Sequence, residues 1–147
     1  MYTIRIILKV ILITAFLSCR SAYATGEIPF SPCPKSPNCV SSHAPADDPR
    51  HYIAPLTLTP RGDSPLEQVH QLLQKKSRVK LMTRSAHYLH YEFTSRIFGF
   101  VDDVEFYAPA QSTTVHMKSA SRVGYSDLGA NRNRLESIRG QLQAQKP

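Results

Sequence analysis

The chain has 147 residues, with 18 Lys and Arg against 11 Asp and Glu, a formal net charge of +7. That length predicts one domain, long enough to bury a real core. Arg5, Lys9 and Arg20 fall in a leader-like start, so the rest carries 15 cations against 11 acids, or +4, too modest a balance to argue for nucleic acid as a partner.

Residues 1–9 hold Arg5 and Lys9 without an acid, residues 10–17 are apolar apart from Thr14, and Ala22-Tyr23-Ala24 places small residues before a cut. This is the order of a secretory signal peptide over residues 1–24. It predicts cleavage after Ala24, a mature chain starting at Thr25, and a periplasmic or secreted protein. The apolar run is far short of the roughly 20 residues that span a bilayer. Phe16-Leu17-Ser18-Cys19 loosely resembles a lipoprotein recognition box, so the alternative is an envelope lipoprotein anchored through Cys19. Only that acylation brings the chain to a membrane on this reading.

Removing the leader leaves two cysteines, both in "CPKSPNCVSS", residues 33–42. A redox pair favours Cys-x-x-Cys, and a metal clip needs further thiolates or suitably spaced histidines; His43 and His51 follow irregularly. An even count in an oxidising compartment predicts a Cys33 to Cys39 disulfide and no metal. Residues 25–61 hold most of the prolines and little periodicity, so they read as an extended arm fixed by that staple.

The core domain is expected over residues 62–147. Ser64-Pro65-Leu66-Glu67 announces a helix over 65–76, with Ser64 as N-cap, proline in the first turn and Glu67 closing a capping box. Leu66, Val69, Leu72 and Leu73 form its apolar stripe. The period then becomes alternating: Val79 and Leu81, then Leu89, Tyr91 and Phe93, then Val104 and Phe106, then Val115, Met117 and Ser119. Four strands with such short connections form an antiparallel meander. Asp127 is placed to cap a second helix carrying Leu128, Leu135, Ile138 and Leu142 and ending near Gln143. The expected fold is α+β: a four-stranded meander with two helices on one face, preceded by the stapled arm.

Three ordered blocks, "CPKSPNCVSS", "FGFVDDVEF" (98–106) and "SASRVGYSDLGANRNRLESIR" (119–139), resemble the family called domain of unknown function 1499. The resemblance covers about residues 33–142. It implies a fold and an exported, often lipoprotein-like, bacterial address, and no reaction.

Asp102 and Asp103 are strand neighbours that point to opposite faces, which excludes a carboxylate dyad. Asp102 is in phase with Val104 and Phe106, so it is expected to point inward and to need a partner, with Arg122 the expected one. His87, His90 and His116 read as solvated or structural histidines. Tyr88, Tyr91, Phe93, Phe98, Phe100 and Phe106 read as core. No nucleophile elbow, phosphate loop or dinucleotide fingerprint is present, and no cofactor is expected. The stretch 121–134 joins the last strand to the last helix and gathers Arg122, Tyr125, Asp127, Asn131 and Arg134. Together with Asp102 these are the ligand-binding candidates, with fork-shaped donors suited to a carboxylate or phosphate. The expected function is a non-enzymatic binding or accessory module of the cell envelope, for a small anionic or polar ligand or a protein partner. An envelope hydrolase using Asp102, His116, Arg122 or Asp127 is the alternative.

Overall fold

The proline-rich arm does more than extend along the core. In the computed structural model, which describes residues 28–59 and 62–145, the arm supplies two short strands, β1 (Cys39–Ser41) and β2 (Leu56–Thr57). Both pair antiparallel with residues 114–121, Cys39 lying opposite Ala120 and Leu56 opposite Val115. The sheet therefore has six strands where four were expected. Three and two residues are too few to show alternation, and all of β1 is buried, which erases the pattern that marks a half-covered strand. The predicted disulfide between Cys33 and Cys39 is present immediately before and within β1. The expected cleavage after Ala24 and the alternative acylation at Cys19 lie outside the described residues.

Helix α1 (Pro65–Leu73) starts as its sequence dictates: the Ser64 hydroxyl accepts the Glu67 N–H at 3.1 Å, with Pro65 in the first turn. The second half of the capping box is not made. The Glu67 carboxylate instead accepts from Arg84 at 2.7 Å, fastening the helix start to the edge of the sheet. The helix ends at Leu73, three residues before the expected end, and Arg78 turns the chain onward through a left-handed conformation, φ 58°.

The meander follows as β3 (Val79–Arg84), β4 (Tyr88–Thr94), β5 (Val101–Tyr107) and β6 (Thr114–Ser121). The full order across the sheet is β1-β6-β5-β4-β3, with β2 also on β6. Its register sets Tyr91 opposite Leu81 and Val104, and Phe106 opposite Leu89 and Met117, so one face is apolar except at the end that carries Asp102, Ser119 and Ser121. Helix α2 (Ala130–Ala144) and α1 cover that face with Leu135, Ile138, Leu142, Leu66, Val69 and Leu73, forming the core of an α+β domain. Asp127 caps α2 from outside it: the helix begins at Ala130, and the Asp127 carboxylate accepts the N–H groups of Gly129 at 3.0 Å and Asn131 at 2.8 Å.

Candidate functional site

Strand phase turns Asp102 inward, as the sequence predicts, and it is nearly sealed at 6 % exposure. Its partner is Arg134, not the expected Arg122. Residues Val115, Met117, Ser119 and Ser121 of β6 face the core, so Arg122 continues on the opposite phase and leaves by the outer face. Arg134 reaches Asp102 from the first turns of α2, and its guanidinium also donates to Asn131 Oδ1 at 2.7 Å and Ser119 Oγ at 2.8 Å. It lies over the Phe93 ring, 5.0 Å from the centroid.

Asn131, fully buried, is the hub of this network. Its amide donates to the Asn38 carbonyl at 2.9 Å, Ser121 Oγ at 2.9 Å and Asp127 Oδ2 at 2.7 Å, while its oxygen accepts from Ser119 at 2.5 Å. Asn38 completes the circuit from inside the disulfide ring, donating to the Gly124 carbonyl at 2.6 Å and accepting the Ser121 N–H at 3.0 Å. Four of the six candidates, Asp102, Asp127, Asn131 and Arg134, thus meet beneath the sheet end, each bound to protein groups. Asn38 is the member that sequence reasoning missed; its position between the two cysteines was the available signal.

The outer face of the sheet carries a second polar set. Arg122 grips both oxygens of Asp103 at 2.8 Å and one of Glu92 at 2.5 Å, and His90 Nε2 meets Asp103 Oδ1 at 2.7 Å. The Arg122 hydrogen bonds foremost, then the His90 one, hold the Asp103 carboxyl below the usual carboxylate range. Further along, Glu105 accepts from Tyr88 at 2.6 Å and pairs with Lys118 at 3.3 Å, while Lys118 also reaches Ser31 of the arm at 2.8 Å. His116 stands next in phase beside Ser42 at 3.4 Å, and burial, then the charge of His43, pushes its pKa down. It lies about 20 Å from Arg122 along the strand direction. Asp102 and Asp127 are on the other side of the sheet, so the four residues of the hydrolase alternative do not converge.

Two clefts are open elsewhere. One, of about 230 Å³, is lined by Ser31, Cys33, Ser41, His43, Asp48 and His51. There His51 sits between Asp48 Oδ2 at 2.7 Å and the Ser36 carbonyl at 3.2 Å, and its hydrogen bond holds the Asp48 carboxyl down. The other, about 420 Å³, lies between the start of α1 and the β3–β4 turn. No candidate residue lines either cleft. Among the described residues, no group of three or more His, Cys, Asp or Glu is arranged to hold a metal ion.

The most exposed feature is apolar. Phe98 and Phe100, expected in the core, are 74 % and 51 % exposed, because they belong to the β4–β5 turn and precede the strand whose alternation would have turned them inward. Ile97 stands beside them, and the two phenyl rings stack at 5.5 Å. The Arg122 N–H bonds the Val101 carbonyl at 3.2 Å, so the β6–α2 loop leaves the same end of the sheet, presenting Val123, Tyr125 and Leu128. Of the eight large apolar side chains exposed among the described residues, these six share that end; the other two, Leu81 and Met82, are on edge strand β3. Tyr125 thereby joins an apolar surface and no anion-binding fork. The signal was legible in "RIFGF", a turn built of apolar residues where polar ones are usual.

No curated protein and no solved structure matches the chain closely enough to count as a relative. The family model described as "Protein of unknown function (DUF1499)" matches residues 29–142, a span holding the disulfide ring, the whole sheet and the buried Asn131 network, and the chain belongs to that family.

Proposed function

We propose that this domain is an exported, non-enzymatic binding or accessory module of the cell envelope, working through the apolar end of its sheet. The observation that carries this reading is a contrast within residues 121–134. The donors suited to a small anion, Arg122, Asn131 and Arg134, are engaged by Asp103, Glu92, Asp127 and Asp102, while the neighbouring Val123, Tyr125 and Leu128 are exposed to solvent. An anion would have to displace carboxylates already in place, two of them beneath the helix. Exposed apolar surface gathered at one end is instead what association buries. The leader-like residues 1–24 support the exported address. The hydrolase alternative has weaker support, since its acids and bases are divided between two faces of the sheet.

The test is a photo-crosslinking side chain placed at position 98 in cells expressing the full chain, with position 111, in the β5–β6 turn at the opposite end, as the control. Adducts to protein or lipid at 98 in excess of those at 111 are expected. Equal yields at both positions would refute binding through this end.

A further inference from the structure

We infer that the apolar end of the sheet is a membrane-interface surface whose occupant is a bilayer bearing anionic headgroups. The inference rests on the reading that the module binds through this end, and narrows it to one class of partner.

The shape comes first. Ile97, Phe98 and Phe100 are carried on a hairpin turn, and Val123, Tyr125 and Leu128 on the adjoining loop, so the apolar side chains project from two tips beyond the ends of β4, β5 and β6. Neither open cleft includes any of them. Such a protruding pair of tips suits a deformable interface that closes around it. No helix among the described residues is long and apolar enough to cross a membrane, so contact through this end would be peripheral. Aromatic and aliphatic side chains seated about 5–10 Å into the headgroup boundary are how such surfaces hold.

The charge agrees. Arg96 lies within the turn, and Arg78 holds the Thr94 N–H on its carbonyl at 2.9 Å, directly before that turn. Neither arginine has an ion pair among the described residues; of the acids nearby, Glu92 and Asp103 share Arg122, Asp102 pairs with Arg134, and Asp127 is hydrogen-bonded to the start of α2. The two arginines without an ion pair, one in the hairpin turn and one directly before it in space, are the groups that meet an anionic surface. The backbone also fixes the display. Leu128 adopts a left-handed conformation, φ 53°, in a turn held by the N–H bonds of Leu128 to Ser126 and of Gly129 to Asp127, and its side chain is 94 % exposed.

The chain has no tryptophan, so Phe98→Trp makes a single fluorescent reporter at the tip. The protein is expressed as the full chain with Cys19→Ser, which removes any acyl anchor, and mixed with vesicles of phosphatidylcholine with or without phosphatidylglycerol. A shift of emission to shorter wavelength, with quenching by bromines placed near the headgroup end of the lipid chains, is expected with the phosphatidylglycerol vesicles. In flotation, Phe98→Asp with Leu128→Asp should weaken partitioning at least about tenfold. Arg78→Glu with Arg96→Glu should weaken it about tenfold or more on anionic vesicles alone. These side chains are exposed, and unchanged thermal melting checks that the variants fold. Unchanged indole emission from the Phe98→Trp variant with either vesicle overturns the inference. If crosslinking at position 98 then captures a protein or a second copy of this chain, the membrane assignment fails while binding through this end stands; if it captures nothing, both fail.

Discussion

Replacing Arg134 by methionine isolates the buried network. The substitution keeps most of the side-chain volume but strips Asp102, 6 % exposed, of its cation, and removes the guanidinium from above Phe93. Breaking a buried pair by removing one partner costs about 3–5 kcal/mol, and slight solvent access to both side chains places this pair near the lower end. The lost cation–π contact adds about 0.5–1 kcal/mol. Asn131 Oδ1 keeps its bond from Ser119, so no further orphan is created there. A total of about 4 kcal/mol lowers the melting temperature of a domain this size by roughly 15 °C, readable by calorimetry or circular dichroism at neutral pH. The double variant Asp102→Leu with Arg134→Met should recover most of that loss, since no buried charge is left behind. Arg122→Met is the matching control on the solvent face, where screening makes its pairs much weaker. The reasoning is refuted if Arg134→Met melts no lower than Arg122→Met, or if the double variant is no better than the single.

The lowered pKa of Asp103 makes the folded state bind fewer protons than the unfolded one. Its contribution is thus complete above about pH 4 and is lost as pH falls through the lowered native value. Asp103→Asn should flatten the fall of the urea midpoint in that acid window; an unchanged slope would place the pair's influence elsewhere. His116 also titrates low in the fold, so the unfolded chain gains a proton first and stability declines as pH drops below about 6.5. His116→Gln should remove that decline on the acid side of neutrality, and nuclear magnetic resonance titration of the ring should read the depressed value directly. Reduction of Cys33–Cys39 should cost about 2 kcal/mol by loop closure. An identical urea midpoint with and without reductant would show that the ring adds no stability.

The elements that proved legible are those whose residues obey a period or a cap. Ser64 and Pro65 mark the start of α1 because one hydroxyl and one ring do a local job, and the alternation through Tyr91, Val104 and Met117 needs only one face to be covered. The inward turn of Asp102 followed from the same phase. Its partner did not: Arg122 is closer in sequence, yet counting on from Ser119 and Ser121 sends it outward. Arg134 falls on the stripe of Asn131, Leu135, Ile138 and Leu142 and is the residue a helical count selects. β1 and β2 were hidden for another reason. A strand of two or three residues is defined by its neighbour β6, and no local pattern encodes a neighbour. Phe98 and Phe100 carried the wrong implication because alternation was extended across a turn where the strand had not begun.

The bond from Asn131 to the carbonyl of Asn38 joins residues 93 apart in the chain. Contacts of such span are slow to form, because a long loop must close before they return any energy. The Cys33–Cys39 ring, by contrast, spans a separation of 6 and closes from its own neighbourhood. The two ends of the chain are thus on different clocks: the ring takes shape early, and the seat it offers stays empty until the last helix exists. A chain emerging N-terminus first can pair the arm with β6 before α2, but the arm's set of bonds is complete only once residue 131 is free. For a protein exported as we propose, that delay keeps the polypeptide threadable during passage and reserves folding for the far side. Chains arrested before Ala130 should accordingly lose residues 28–59 to protease faster than the complete chain does.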